Sequence, residues 1–95
     1  TNISSEIPEG FSLKQNYPNP FNPSTKIKFD VARIGDVKIV VYDAMGREVQ
    51  TLVNETLKPG TYEAIFDGSN ISSGIYFYKL IAGNFTATKK LTLLK

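Results

Sequence analysis

Apolar and polar residues alternate with a period of two along most of the chain, and no stretch carries a convincing helical period. Ile27, Phe29 and Val31 alternate with Lys26, Lys28 and Asp30. Val37, Ile39 and Val41 repeat the inward pattern, with Val40 and Tyr42 on the other face. Glu48–Val53 reads as a strand. Tyr62, Ala64 and Phe66 face one way, and Glu63, Ile65 and Asp67 the other. Ile75–Ala82 and Phe85–Leu94 form a final hairpin, and Phe11, Leu13 and Gln15, alternating with Ser12 and Lys14, give a short first strand. The pattern therefore predicts seven strands, spaced by about ten residues, as in an all-β sandwich. The core expected from it holds Ile27, Phe29, Val37, Ile39, Val41, Tyr62, Phe66, Tyr76, Tyr78, Leu80 and Leu91.

Turn chemistry agrees with this spacing. Gly35-Asp36 and Pro59-Gly60 close turns, and Gly83-Asn84 supplies the left-handed preference of a two-residue hairpin loop. Asp43–Gly46 is a turn that calls for a positive φ at Gly46. Asp67–Gly74 is a loop of Gly, Ser and Asn. Gly74 is expected to hold a strained or closely packed position where the last hairpin begins. Asn16–Thr25 contains Pro18, Pro20 and Pro23, which exclude both a helix and a central strand. It reads as a stiff loop pinned to the core by Tyr17 and Phe21. Thr1–Gly10 is polar and aperiodic, and reads as a linker from an upstream domain. The start at Thr1, without methionine or signal peptide, reads as that of a fragment of something longer.

Composition narrows the function. Ninety-five residues make one domain, and eleven basic against nine acidic residues give a net charge of +2, too balanced to imply nucleic acid. There is no cysteine and no histidine. That removes disulfides, thiol chemistry, the usual general base and the commonest metal ligand. No apolar run is long enough to span a membrane. The carboxylates (Asp30, Asp36, Asp43, Glu48, Glu55, Glu63, Asp67) are scattered over turns and outward positions, so no catalytic pair stands out. Asp67-Gly68-Ser69-Asn70 has a superficial likeness to a calcium loop, but lacks the acidic spacing and terminal glutamate such loops use. No cofactor, metal or small-molecule substrate is implied, and the chain reads as a non-enzyme.

Two surface readings remain. Tyr62, Phe66, Tyr76, Phe77 and Tyr78 could form a sugar-binding platform, which would make the chain an accessory carbohydrate-binding module. Alternation, however, puts Tyr76 and Tyr78 on the face opposite Phe77, and core packing is the simpler use. Lys79, Lys89, Lys90 and Lys95 give the last strands a basic character. This is either ordinary edge protection or a recognition surface.

Five segments in order carry a resemblance. They are Tyr17–Thr25 with Ile27 and Phe29, Val41–Val49, Pro59–Tyr62, Ser73–Tyr78 and Thr88–Leu91. Together they resemble the type A C-terminal sorting domain of type IX secretion cargo proteins, found in the Bacteroidota and related Gram-negative bacteria, over about Phe11–Lys95. The resemblance implies an immunoglobulin-like antiparallel sandwich of seven strands without chemistry of its own. It implies transit through the periplasm, recognition by the type IX translocon, and then cleavage by a surface sortase, with the cargo attached to the cell surface or released. The implied partners are translocon and sortase proteins and the upstream cargo in the same chain. The matching residues are Pro18, Asn19 and Pro20; Asp43, Gly46 and Arg47; Gly74 and Tyr76; and Lys89, Lys90 and the terminal segment through Lys95. The glycines and prolines are expected to serve backbone geometry, and the lysines to meet the machinery. A final strand's last residues make fewer ladder bonds, so Lys90–Lys95 is expected to serve export more than folding. A partner would pair along its exposed edge.

Overall fold

The computed structural model describes residues 2–4 and 6–95. The linker expected over Thr1–Gly10 falls at Thr1 and Ser5 outside the described residues. Eight strands follow in order: β1 (Asn2–Ser4), β2 (Ser12–Leu13), β3 (Ser24–Val31), β4 (Gly35–Asp43), β5 (Glu48–Leu57), β6 (Gly60–Asp67), β7 (Gly74–Ala82) and β8 (Phe85–Leu93). They form two four-stranded antiparallel sheets, ordered β1-β6-β3-β2 and β5-β4-β7-β8. The fold is the expected all-β sandwich, immunoglobulin-like in its layering, with one strand more than the pattern showed. That strand is β1. Three polar-flanked residues carry no readable alternation, yet Asn2 and Ser4 pair with Tyr62 and Thr61 of β6. Gly60 permits the approach. Its φ is +157°, and a Cβ there would lie 2.7 Å from the Ser4 carbonyl oxygen.

The period of two places the core as expected. All eleven side chains predicted to be inside are buried, joined by Leu13, Phe21, Val31, Ala64, Ala82 and Leu93. Phe29 stacks on Tyr62, and Phe21 meets Phe66 edge to face, with ring centroids 5.6 and 5.8 Å apart. Three core tyrosines bury their rings and send their hydroxyls to backbone carbonyls of the loops. Tyr62 donates to Lys58, Tyr76 to Ser72 and Tyr78 to Lys14, each at 2.7 Å. Val40 points to the outer face, as expected, but is 0% exposed. The central strand that carries it is flanked by β5 and β7, where Thr51 and Lys79 lie opposite it.

The segment between β2 and β3 crosses from one sheet to the other. It leaves β3, with Tyr17 bridging Lys26, and arrives at β8, where Phe21 bridges Leu93 in parallel. Phe21 is buried, as expected. Tyr17 is 80% exposed and does not pin the loop: its backbone bridge to Lys26 turns the ring to the outside. The Tyr17-Pro18, Asn19-Pro20 and Asn22-Pro23 peptide bonds are cis.

Candidate functional site

Three of the motifs and the chain end of the fourth meet at one end of the β5-β4-β7-β8 sheet. The first is the proline loop, which holds the end of β8 by its edge. The Thr92 N–H donates to Asn19 Oδ1 at 3.1 Å, the Phe21 N–H to the Thr92 carbonyl at 3.0 Å, and the Leu94 N–H to the Phe21 carbonyl at 3.1 Å. Gln15 Nε2 donates to the Lys90 carbonyl at 2.7 Å. Beneath this clasp lies a buried polar knot. The Asn16 N–H donates to the Tyr78 hydroxyl at 2.8 Å. Asn16 Nδ2 donates to Thr25 Oγ1 at 3.0 Å and to the Pro18 carbonyl at 3.2 Å, and Thr25 Oγ1 donates to the same carbonyl at 2.8 Å. Asn16 and Thr25 are the buried polar residues among those described, and this network satisfies them. Burial pushes the Tyr78 phenol up to about 12, opposed by the hydrogen bond from Asn16.

The clasp corrects the expectation for the chain end. Leu91 and Leu93 are fully buried, and the edge from Lys90 to Leu94 is already occupied by residues 15–21. Gly68 closes the cluster. Its N–H donates to the Pro23 carbonyl at 2.7 Å, and a Cβ there would lie 3.0 Å from Leu93 Cδ2 and 3.3 Å from Phe21 Cε2. Lys90–Lys95 is thus part of the fold's packing, and no partner strand can reach that part of the edge without displacing the loop.

The second motif is a self-contained turn. Asp43 Oδ1 accepts the N–H groups of Met45 and Arg47, both at 2.9 Å. Its Oδ2 accepts Arg47 Nε at 2.9 Å, and Gly46 takes φ +84°, as the turn requires. The Arg47 N–H, a little solvent loss working the other way, and the guanidinium hold the Asp43 carboxyl below the usual aspartate range. Asp43, Gly46 and Arg47 act together here because the carboxylate organises the turn.

The third and fourth motifs meet beside it. Tyr76 lies opposite both Asp43 of β4 and Leu91 of β8. Asp43, Tyr76, Lys95 and the loop from Ser69 to Ser72 line a shallow groove of about 540 Å³. Lys95 Nζ donates to the Ser69 carbonyl at 2.8 Å, and its N–H donates to Ser73 Oγ at 3.0 Å. Asp67 caps this loop by accepting the Ser69 hydroxyl and N–H, which hold its pKa down. The calcium-loop look of Asp67–Asn70 is therefore a side-chain-capped turn. Among the described residues no group of three His, Cys, Asp or Glu gathers to hold a metal ion. Gly74 takes φ +154°, but nothing lies within 4 Å of a Cβ built on it. The strained backbone is there and the close packing is not.

Lys89 and Lys90 are not brought to the groove. On β8 they face opposite sides of the sheet, Lys89 opposite Tyr78 and Lys90 opposite Phe77. Of the five aromatic residues of the sugar-platform reading, Tyr62, Phe66, Tyr76 and Tyr78 are buried, which leaves Phe77 without a platform. The sequence reading missed Gln15, Asn16, Thr25 and Gly68. The available signal was two small polar residues flanking a proline run, at positions the alternation leaves between strands.

The model of the secretion system C-terminal sorting domain family matches residues 15–94. Among solved structures the chain is similar to dimeric latent PorU from Porphyromonas gingivalis. The TM-score is 0.69 at 19% identity, covering 92% of this chain and 10% of that one, a likeness of fold. No curated protein sequence matches the chain.

Proposed function

The chain belongs to the secretion system C-terminal sorting domain family, and from that premise we propose that it is read as a folded signal by the type IX translocon. The family's role is non-catalytic: it marks an attached cargo for export to the cell surface or the extracellular space through contact with the secretion machinery. The observation that carries the reading is the match over residues 15–94. It takes in the proline loop, the Asp43–Arg47 turn, the Gly74–Tyr76 segment and the end of β8, which the fold gathers at one end of one sheet.

In this reading the periplasm is the place of recognition, and residues 1–10, which carry β1 on the edge of the first sheet, join the domain to the cargo. A surface sortase then removes the domain and the cargo is attached or released. Asn2–Ser4 lies on the outer edge of the first sheet, beside β6, so the cargo joins on a side away from β8. Pro18, Pro20, Asp43, Gly46 and Gly74 set backbone geometry. Asn19 and Tyr76 fix the loops that frame the terminal segment, while Arg47, Lys89, Lys90 and Lys95 remain on the surface for contact.

The test fuses a reporter with an ordinary N-terminal export signal to the whole chain, in hosts with and without type IX machinery. The expected result is an extracellular or surface reporter in the first host and a periplasmic one in the second. A reporter retained in the periplasm of both hosts contradicts the proposal.

A further inference from the structure

We propose that the open half of the β8 edge, Thr86–Lys90, is a docking strand for an extended acidic segment of the secretion machinery; the proposal rests on the secretion reading above. The Thr92 N–H and carbonyl and the Lys90 carbonyl point away from β7 and are taken by residues 15–21. Strand geometry repeats every two residues, so Thr88 and Thr86 also aim both backbone groups away from β7. No hydrogen bond among the described residues reaches them, although β2 packs beside β8. The clasp therefore stops where it does, and leaves the Thr86 and Thr88 backbone and the Lys90 N–H facing outward.

The two outer edges of this sheet are built differently. β5 carries register shifts opposite Ile39/Val40 and Val41/Tyr42, and such bulges spoil an edge for pairing. β8 runs in unbroken register from Phe85 opposite Ala82 to Leu93 opposite Gly74. A regular, open, outward-facing ladder accepts one more strand.

Charge selects the occupant. From Gly68 to Lys95 there is no Asp or Glu, and the lysines are Lys79, Lys89, Lys90 and Lys95. Lys79 lies directly opposite Thr88, and Lys90 is two residues further along the same face. Two β8 edges paired with each other would set lysines beside lysines with no acid to relieve them, which disfavours a second copy. An extended segment with acidic side chains meets the same lysines favourably. Because β1 lies across the sandwich from β8, an attached cargo leaves this edge open.

Thr88→Pro tests the idea. The Thr88 N–H makes no bond within the sheet, and proline is accepted at such edge positions, yet it removes a donor and blocks an added strand. Thr88→Ala keeps the backbone. The reporter fusions are expressed in the type IX host, and the purified chains are compared by thermal unfolding. The expected result is wild-type export for Thr88→Ala and a loss of roughly tenfold or more for a folded Thr88→Pro. Full export of a folded Thr88→Pro overturns the docking edge and leaves the secretion reading intact. Failure of the wild-type chain itself to be exported overturns both. Where Thr88→Pro does not fold, Lys79→Glu with Lys90→Glu decides: reduced export is expected, and unchanged export overturns the proposal. A stable dimer of the isolated chain that Thr88→Pro abolishes assigns the edge to a second copy and overturns the acidic segment.

Discussion

The two halves of β8 share one alternation and have different neighbours. From Lys90 to Leu93 the strand has β7 on one side and the proline loop on the other, with Leu91 and Leu93 fully buried between the sheets. From Phe85 to Lys89 it has β7 on one side and no hydrogen-bonded neighbour on the other, with β2 packing beside the strand and Phe85 and Ala87 only partly buried. Phe85 stacks on Phe11, which in turn carries the Arg33 guanidinium 5.5 Å from its ring. That contact is at the surface of the core. One strand thus combines a packed half with an accessible half. A strand's own pattern sets its faces, whereas its edges are set by whatever distant segment arrives there.

The clasped half is most vulnerable at Leu91, which is fully buried. Leu91→Ala leaves a cavity in the clasped half and should cost about 2–5 kcal/mol, a large share of the stability of a domain this size. Chemical denaturation followed by circular dichroism would measure it. A shorter chain ending at Lys89 loses Leu91, Leu93 and the Phe21 bridge together and is expected not to fold. A loss of export in that chain would therefore report stability.

Tyr78→Phe removes the hydroxyl that links Lys14 and Asn16 across the clasp. It keeps the ring but leaves the part-buried Lys14 carbonyl and the buried Asn16 N–H without that partner, so a loss of about 1–3 kcal/mol is expected. The same titration checks it, and no measurable loss would mean that the polar knot does not hold the loop.

Acid acts more gently, and at both ends of the sandwich. Asp43 and Asp67 are both held below the ordinary aspartate value of 3.8, by the Arg47 N–H and by the Ser69 hydroxyl respectively. For Asp30, partial burial works to raise the pKa, but the hydroxyls of Ser12 and Thr61 and the Lys14 ammonium outweigh it. Each group binds its proton more weakly when folded. Its contribution is therefore present above 3.8 and is lost as pH falls through the lower, folded value. The unfolding midpoint should be flat near neutrality and drop below about pH 4. A thermal melt series across that range reads it, and stability that rises on acidification would contradict the assignment.

The open half should respond least. Thr86 and Thr88 are exposed, so Thr86→Ala and Thr88→Ala are each expected within about 0.5 kcal/mol of wild type. A larger loss in the denaturation series would show that this half is part of the packing after all.

How far the sequence could be read follows the same division. The eleven core side chains were legible because alternation is a property of each strand alone. So were the turns at Asp43–Gly46 and Gly83-Asn84, where local chemistry decides the backbone. β1 was not legible: three residues bear no pattern, and what makes them a strand is Gly60, fifty-six positions after Ser4. Nor was the exposure of Tyr17, an aromatic turned outward by a backbone bridge to Lys26. The clasp was the largest omission. Asn19 and Thr92 are far apart in sequence, and only the crossing of the loop between sheets brings them together. Of the matched site residues, Asp43, Gly46 and Arg47 explain themselves within one turn. Lys89 and Lys90 read as a pair and are separated by the pleat.

The division of β8 is tested most directly by amide hydrogen exchange, residue by residue, on the intact folded chain. Thr92 and Leu94 donate to Asn19 Oδ1 and the Phe21 carbonyl and should exchange slowly, alongside the β7-paired amides of the strand. Thr86, Thr88 and Lys90 point their N–H groups outward and should exchange orders of magnitude faster, near the rate of open chain. Uniform slow exchange along the whole strand would contradict an open edge, and uniform fast exchange at Thr92 and Leu94 would contradict the clasp.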